Sequence, residues 1–224
     1  MKLIEVAQGS AEWLQHRMGR PSASELDRLI SPTLKLREGE GPHTYLCEKL
    51  AEKWTGQPVQ SWSGGSMEQG SILEDEAIPF LELRLGVTIE RPGIIVTDDE
   101  RFVCSPDGLI PTVKGFEIKC PEQHTHVKWL LGGECPREHW MQCQGGMYAT
   151  GLPLWTFASY RRGFPPLIVD VERDEEAMER IAEAVNQFSA KMARGWDALC
   201  DANGGPPERE AVMTEAESDE ANPF

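Results

Sequence analysis

The sequence predicts an α/β (α+β) fold, a central mixed β-sheet flanked by helices. Three observations carry that prediction. Strand-like apolar runs recur near 87–96, 101–104, 115–119, 154–160 and 166–172. Helix-type segments precede, interrupt and follow them, which calls for both parallel and hairpin pairing. Residues 174–199 hold Met178, Ile181, Val185, Phe188, Met192, Trp196 and Leu199 at steps of three and four, the apolar stripe of one long helix.

Taken in order, Ser10 opens a short helix over Ala11-Glu-Trp-Leu-Gln-His-Arg17. Ser22-Ala-Ser-Glu25 reads as a capping box, with Ser22 at the N-cap before Leu26-Asp-Arg-Leu-Ile30. Residues 31–42 form a polar loop punctuated by Gly and Pro, and a third helix spans roughly 43–54. Gly64-Gly65-Ser66 starts another, which ends near Gly86 and is kinked at Pro79. The strands follow, with a helix near 138–149 separating 115–119 from 154–160. Gly204-Gly-Pro-Pro207 then breaks the chain. The expected organisation is one domain over 1–200 and an acidic, flexible tail over 201–224.

Charge and cysteines exclude several classes. The 224 residues carry a net charge of −15, no profile for a basic nucleic-acid sponge. The acidity is uneven, however. Residues 1–60 balance eight Lys/Arg against eight Asp/Glu, whereas 170–183 and 203–224 each carry a net −5. A groove made by the N-terminal half can therefore still meet an anionic polymer. The six cysteines have no C-x-x-C spacing and the chain start lacks a signal-peptide apolar region, so buried reduced thiols are expected rather than zinc or disulfides. No apolar stretch approaches the roughly 20 residues that span a bilayer, and a soluble cytoplasmic protein is expected.

The most informative residues are Asp107, Glu117 and Lys119. In Phe116-Glu-Ile-Lys119 the period of two puts Glu117 and Lys119 on one strand face and Ile118 on the other. Asp107 lies in a Ser-Pro-Asp-Gly turn after Arg101-Phe-Val-Cys104, and a hairpin there brings it beside Glu117. Two such oxygen donors suit Mg²⁺, and a neighbouring lysine can hold an attacking water and offset charge on a phosphorane. The bland alternative is Asp-Gly hairpin punctuation beside a solvated Glu/Lys face. Glu74 occupies the stripe of Ile78, Leu81 and Leu85, which makes it an inward carboxylate near a metal or a half-exposed residue at the helix edge. Gln144 and Tyr148 share a helix face, in reach of a phosphate and a base or sugar, and Gly145-Gly146 mark a close backbone approach.

The order Gly-x-x-x-Glu, Asp, Glu-x-Lys, Gln-x-x-x-Tyr resembles the PD-(D/E)xK nucleases of the RecB type. More narrowly, Trp13 with His16-Arg-Met-Gly19, Ser22-Ala-Ser-Glu25, Cys104-Ser-Pro-Asp-Gly108, Glu117-Ile-Lys-Cys-Pro121 and Gln142-Cys-Gln144 look like the lambda-type exonucleases, the YqaJ-like viral recombinase family. The resemblance runs from Trp13 to Met192. It implies a restriction-endonuclease-like fold and a phage-encoded, Mg²⁺-dependent exonuclease, with Mn²⁺ able to substitute. Such an enzyme degrades one strand of duplex DNA from a 5′ end to mononucleotides, leaving a 3′ single-stranded tail. Family members form a ring-shaped homotrimer around DNA and work with a single-strand annealing protein.

Carried over residue by residue, the resemblance makes Asp107, Glu117 and the backbone carbonyl of Ile118 metal donors. Lys119 positions or deprotonates the attacking water, Glu74 orients waters, and Gln144 holds the catalytic network. Arg17, Ser24 and Ser105 grip the terminal 5′-phosphate, for which a guanidinium fork and hydroxyls are suited. Loop 31–42 does not match the family's DNA-wedging loop, and Arg37 is no more than a candidate for that role. Two other readings stay open: a different endonuclease of the same superfamily, and a nuclease-like fold that only binds DNA ends.

Overall fold

The computed structural model describes residues 1–59 and 66–207, with the side chains of 66–72 and 74 outside that description. The start expected at Gly64-Gly65 and the tail from 208 onward therefore lie outside the described residues. The fold is mixed α/β, with two sheets where the sequence suggested one. Strands β1 (Lys2–Ile4), β2 (Ile94–Val96) and β3 (Val103–Cys104) form an antiparallel sheet in that order. Strands β4 (Gly108–Ile110), β5 (Lys114–Lys119), β6 (Leu154–Ser159) and β7 (Leu167–Glu172) form the second. Within it β5 and β6 run parallel, while β4–β5 and β6–β7 are antiparallel.

The helices are α1 (Ala11–Arg17), α2 (Glu40–Thr55), α3 (Ser66–Leu85), α4 (Gln123–Gly132), α5 (Arg137–Thr150) and α6 (Glu175–Asn203). Ser10 caps α1 as expected, its Oγ accepting from the Trp13 N–H at 3.1 Å. Ser22 does not cap. Residues Ala23–Arg28 form a 3₁₀ turn, and Ser22 Oγ donates to the Glu25 carboxylate at 3.0 Å and accepts from no backbone N–H of that turn. The capping-box reading is thus corrected: the Ser/Glu pair is real, but it bonds side chain to side chain. Among the described residues no helix is long and apolar enough to cross a membrane.

Helix α6 buries its stripe as predicted, with Met178, Ile181, Val185, Phe188 and Met192 all in the core. Each such side chain contributes about 1.5–3 kcal/mol on burial, far more than the surface ion pairs of this helix. Phe188 meets Tyr45 of α2 at a ring-centroid distance of 5.1 Å. The helix runs on to Asn203, past the boundary expected at 200.

Three elements were not anticipated: β1, β4 and α4. The run 87–96 supplies only the three-residue β2, and an isolated bridge Glu90–Leu109 joins the segment before it to β4. All six cysteines are free thiols; Cys104 and Cys143 are buried, Cys47 is exposed and the others are intermediate.

Candidate active site

The chain passes from the first sheet to the second through Ser105, Pro106 and Asp107. Asp107 is therefore the residue entering β4, not the tip of a hairpin between 101–104 and 116–119. Gly108 pairs with Phe116 in antiparallel register, and the Asp107 N–H donates to the Phe116 carbonyl at 3.2 Å. One step further along that register, position 107 stands opposite Glu117, where cross-strand neighbours share a face. Position 107 thus stands opposite position 117 through a strand register rather than a turn.

Glu117 is 3% exposed, and its Oε1 lies 2.5 Å from Lys119 Nζ, which places the two on one face of β5 as their spacing required. Asp107 Oδ2 accepts the Ile118 N–H at 2.6 Å. Backbone groups of one strand residue share a direction, and β4 ends at this level, so the Ile118 carbonyl faces the same open edge as Asp107. Burial pushes the Asp107 carboxyl up, opposed by Lys119, the Ile118 N–H, Gln8 and Arg91.

A pocket abuts this cluster. Arg17, Ser24, Ser105, Glu117, Gln142, Gly146 and Trp155 line it. Arg17 Nη2 donates to Ser22 Oγ at 3.1 Å and Ser24 Oγ at 3.0 Å, and the guanidinium lies over the Trp13 ring at 4.5 Å. Trp13 Nε1 donates to Ser105 Oγ at 2.9 Å, and Ser105 donates on to the Gly93 carbonyl. Burial lowers the Arg17 guanidinium, with Glu25 the chief opposing charge. Among the described residues no carboxylate comes within ion-pairing distance of Arg17, and the buried Trp155 N–H has no hydrogen-bond partner.

Helix α5 closes the pocket, and its glycines explain how. A Cβ on Gly145 would stand 2.6 Å from Leu26 Cδ1 and 2.9 Å from Ala23 Cβ. One on Gly146 would stand 2.5 Å from the Trp155 ring. The close approach expected from the glycine pair is therefore to the 3₁₀ turn and to β6.

Gln144 does not join the site. It is fully buried on another face of α5, its Nε2 donating to the Glu172 carbonyl at 2.8 Å and its Oε1 accepting the Asp174 N–H at 3.0 Å. Its amide ties β7 to the start of α6. Gln142 is the glutamine that lines the pocket. At 100° per residue, positions 142 and 144 point apart, whereas 142 and Gly146 share a face. That i, i+4 relation to the close-approach glycine was the available signal. Tyr148 packs edge-on against Phe102 at 5.4 Å and is not among the residues that line the pocket.

Glu74 has its backbone in α3, but its side chain lies outside the described residues. Ala77, Ile78 and Leu81 are buried, and the off-stripe Asp75 and Glu76 pair with Arg91 and Arg162. Arg37 is exposed, with Nε donating to the Asp27 carbonyl at 2.6 Å. Sequence reasoning missed Ser22 as the hydroxyl between Arg17 and Glu25.

Residues 12–153 match the YqaJ-like viral recombinase domain. Among solved structures, the chain is similar to LHK-Exo in complex with dAMP, with a TM-score of 0.79 and 26% identity over 87% of this chain and 98% of that one. LHK-Exo is an alkaline exonuclease from Laribacter hongkongensis, and a second structure of it gives a TM-score of 0.78 and 25% identity over the same shares. A phage-related exonuclease from Haemophilus somnus 129PT shares the fold, with a TM-score of 0.62 and 15% identity over 80% of this chain and 96% of that one. No curated protein matches the sequence.

Proposed function

Because the chain belongs to the YqaJ-like viral recombinase domain family, we propose that it is a divalent-metal-dependent exonuclease. It digests one strand of linear duplex DNA from the 5′ end and leaves a 3′ single-stranded overhang. The observation that carries this reading is the junction of an Arg/Ser pocket with a carboxylate–lysine cluster, Glu117 belonging to both. The likeness to an alkaline exonuclease supports it.

The residues fit a hard cation. Asp107 and Glu117 supply oxygens, and the Ile118 carbonyl faces the same edge. One or two carboxylates are enough for Mg²⁺, since it keeps several waters. When bound, the ion would neutralise charge on the scissile phosphate and acidify water.

The chain's own groups do the rest in this proposal. Lys119, held by Glu117, orients the attacking water and screens the charge that develops on phosphorus. Arg17, Ser24 and Ser105 hold the terminal 5′-phosphate, setting the bond one nucleotide inward against Asp107 and Glu117. Gln142 takes the place in the network first assigned to Gln144, and Glu74 orients water from α3. The ring-shaped trimer and the annealing partner belong to the same family-based proposal.

The test is end-labelled linear duplex with and without Mg²⁺, beside closed circular duplex. Mononucleotide release from the linear substrate alone is expected. Lys119→Ala should slow it by about two orders of magnitude or more while DNA binding remains measurable. Near-wild-type digestion by that variant, or cutting of the closed circle, refutes the proposal.

A further inference from the structure

Behind the Arg17 pocket lies a buried polar network with no part in the chemistry so far described. Glu25 is its node. Its Oε2 accepts from Ser22 Oγ at 3.0 Å and from the Tyr45 hydroxyl at 3.1 Å, and it lies 3.4 Å from Lys49 Nζ. Lys49 also pairs with Glu52 at 3.2 Å, and Glu52 Oε2 accepts the Gly19 N–H at 3.0 Å. Tyr45, Lys49 and Glu52 are all buried. Helix α2 thus anchors the segment from Gly19 to Glu25 through charged and hydroxyl groups where apolar packing would be simpler. Buried ion networks are weak stabilisers, so a charge-placing role is the better account of this one.

The route to Arg17 is one hydroxyl long. Ser22 Oγ accepts from Arg17 Nη2 and donates to Glu25. Arg17 spends only Nη2 on Ser22 and Ser24; its Nε and Nη1 make no hydrogen bond among the described residues. A carboxylate placed directly on Arg17 would compete with an incoming phosphate. With none nearby, a half-buried cation would stand uncompensated. Glu25, one hydroxyl away, aims and balances the guanidinium and leaves most of its fork open. Burial would raise the Glu25 carboxyl, but Lys49, Ser22, Arg17 and Tyr45 outweigh it and keep it ionised.

We propose that Glu25, acting through Ser22, is a positioning residue that sets the preference of this site for phosphorylated 5′ ends. The proposal rests on the phosphate-pocket reading above. The experiment compares kcat/KM on linear duplexes that differ only in a 5′-phosphate or a 5′-hydroxyl, for wild type, Glu25→Gln and the milder Ser22→Ala, with Tm measured alongside.

Wild type should favour the phosphorylated end. Both variants should reduce that ratio by about fivefold or more, chiefly through KM for the phosphorylated duplex. A loss shared equally by both ends, or an unchanged ratio in folded variants, overturns the role of Glu25 while leaving the pocket intact. A wild-type ratio of one overturns the pocket reading and this proposal with it.

Discussion

Replacing Gly146 by alanine probes how tightly the pocket floor is packed. In an open helix interior this change stabilises by about 1 kcal/mol. At Gly146 the new Cβ would meet Trp155 Cη2 and Cζ2 at 2.5 Å and Cζ3 at 2.8 Å. Carbon atoms rest at roughly 3.5–4.0 Å. The indole has little room to move, because the same ring also lies against Gly115, where a Cβ would stand 2.4 Å from it, and Trp155 is 1% exposed.

Overpacking of that kind costs about 1–3 kcal/mol. A rigid, buried ring packed against two glycines belongs in the upper half of that range. After the helix-propensity gain is subtracted, the net loss is about 1–2 kcal/mol, or roughly 2–8 °C in Tm for a chain of this length. Gly132 of α4 is the control, since no atom lies within 4 Å of its Cβ position, and Gly132→Ala should be neutral or slightly stabilising. Urea unfolding with a fixed m-value reads both variants. A Gly146→Ala protein as stable as wild type would refute the claim that Trp155 dictates glycine there.

The two glutamines of α5 should separate function from stability. Gln142→Ala is expected to reduce exonuclease turnover about tenfold or more with little change in Tm. Gln144→Ala should leave the Glu172 carbonyl and Asp174 N–H unpaired, lowering stability by about 2–4 kcal/mol while the folded fraction stays active; the opposite pattern would return the catalytic assignment to Gln144. His139 gives a pH signature. Burial, and secondarily Lys119, depress its imidazolium to about 4 from the usual 6.5, and the ring stacks on Phe157 with an interplanar angle of 15°. The unfolded chain binds that proton more tightly, so stability is full above the unfolded value and falls as pH drops toward the folded one. By about pH 5 the loss approaches roughly 2 kcal/mol, and His139→Phe should remove it from a comparison with about pH 7.5. An identical pH dependence in that variant would show that other groups carry the effect.

Much of the fold was legible because periodic burial leaves a trace in composition. The stripe of α6, the Ser10 cap of α1 and the i, i+2 relation of Glu117 and Lys119 are all local regularities. Elements lacking such a trace were invisible. Strand β4 is three residues long, and α4 has its charged and apolar residues poorly segregated around its axis. Ser22 and Glu25 were paired correctly, but their geometry was misread: a capping box and a side-chain bridge share one spacing and differ only in the turn that carries them.

By itself, the sequence determined the chemistry available: an aspartate, a glutamate and a lysine suited to a divalent ion, and an arginine with serines suited to a phosphate. Their assembly was a tertiary matter. The pairing of Gly108 with Phe116 sets Asp107 beside Glu117, and Trp13 spans the distance from Arg17 to Ser105. Gly146 against Trp155 decides which face of α5 looks into the pocket, and hence that Gln142 rather than Gln144 lines it. Side-chain types and short periods are properties of neighbours along the chain. Register between strands and the rotation of a packed helix depend on contacts between residues far apart in sequence, and only the folded molecule fixes those.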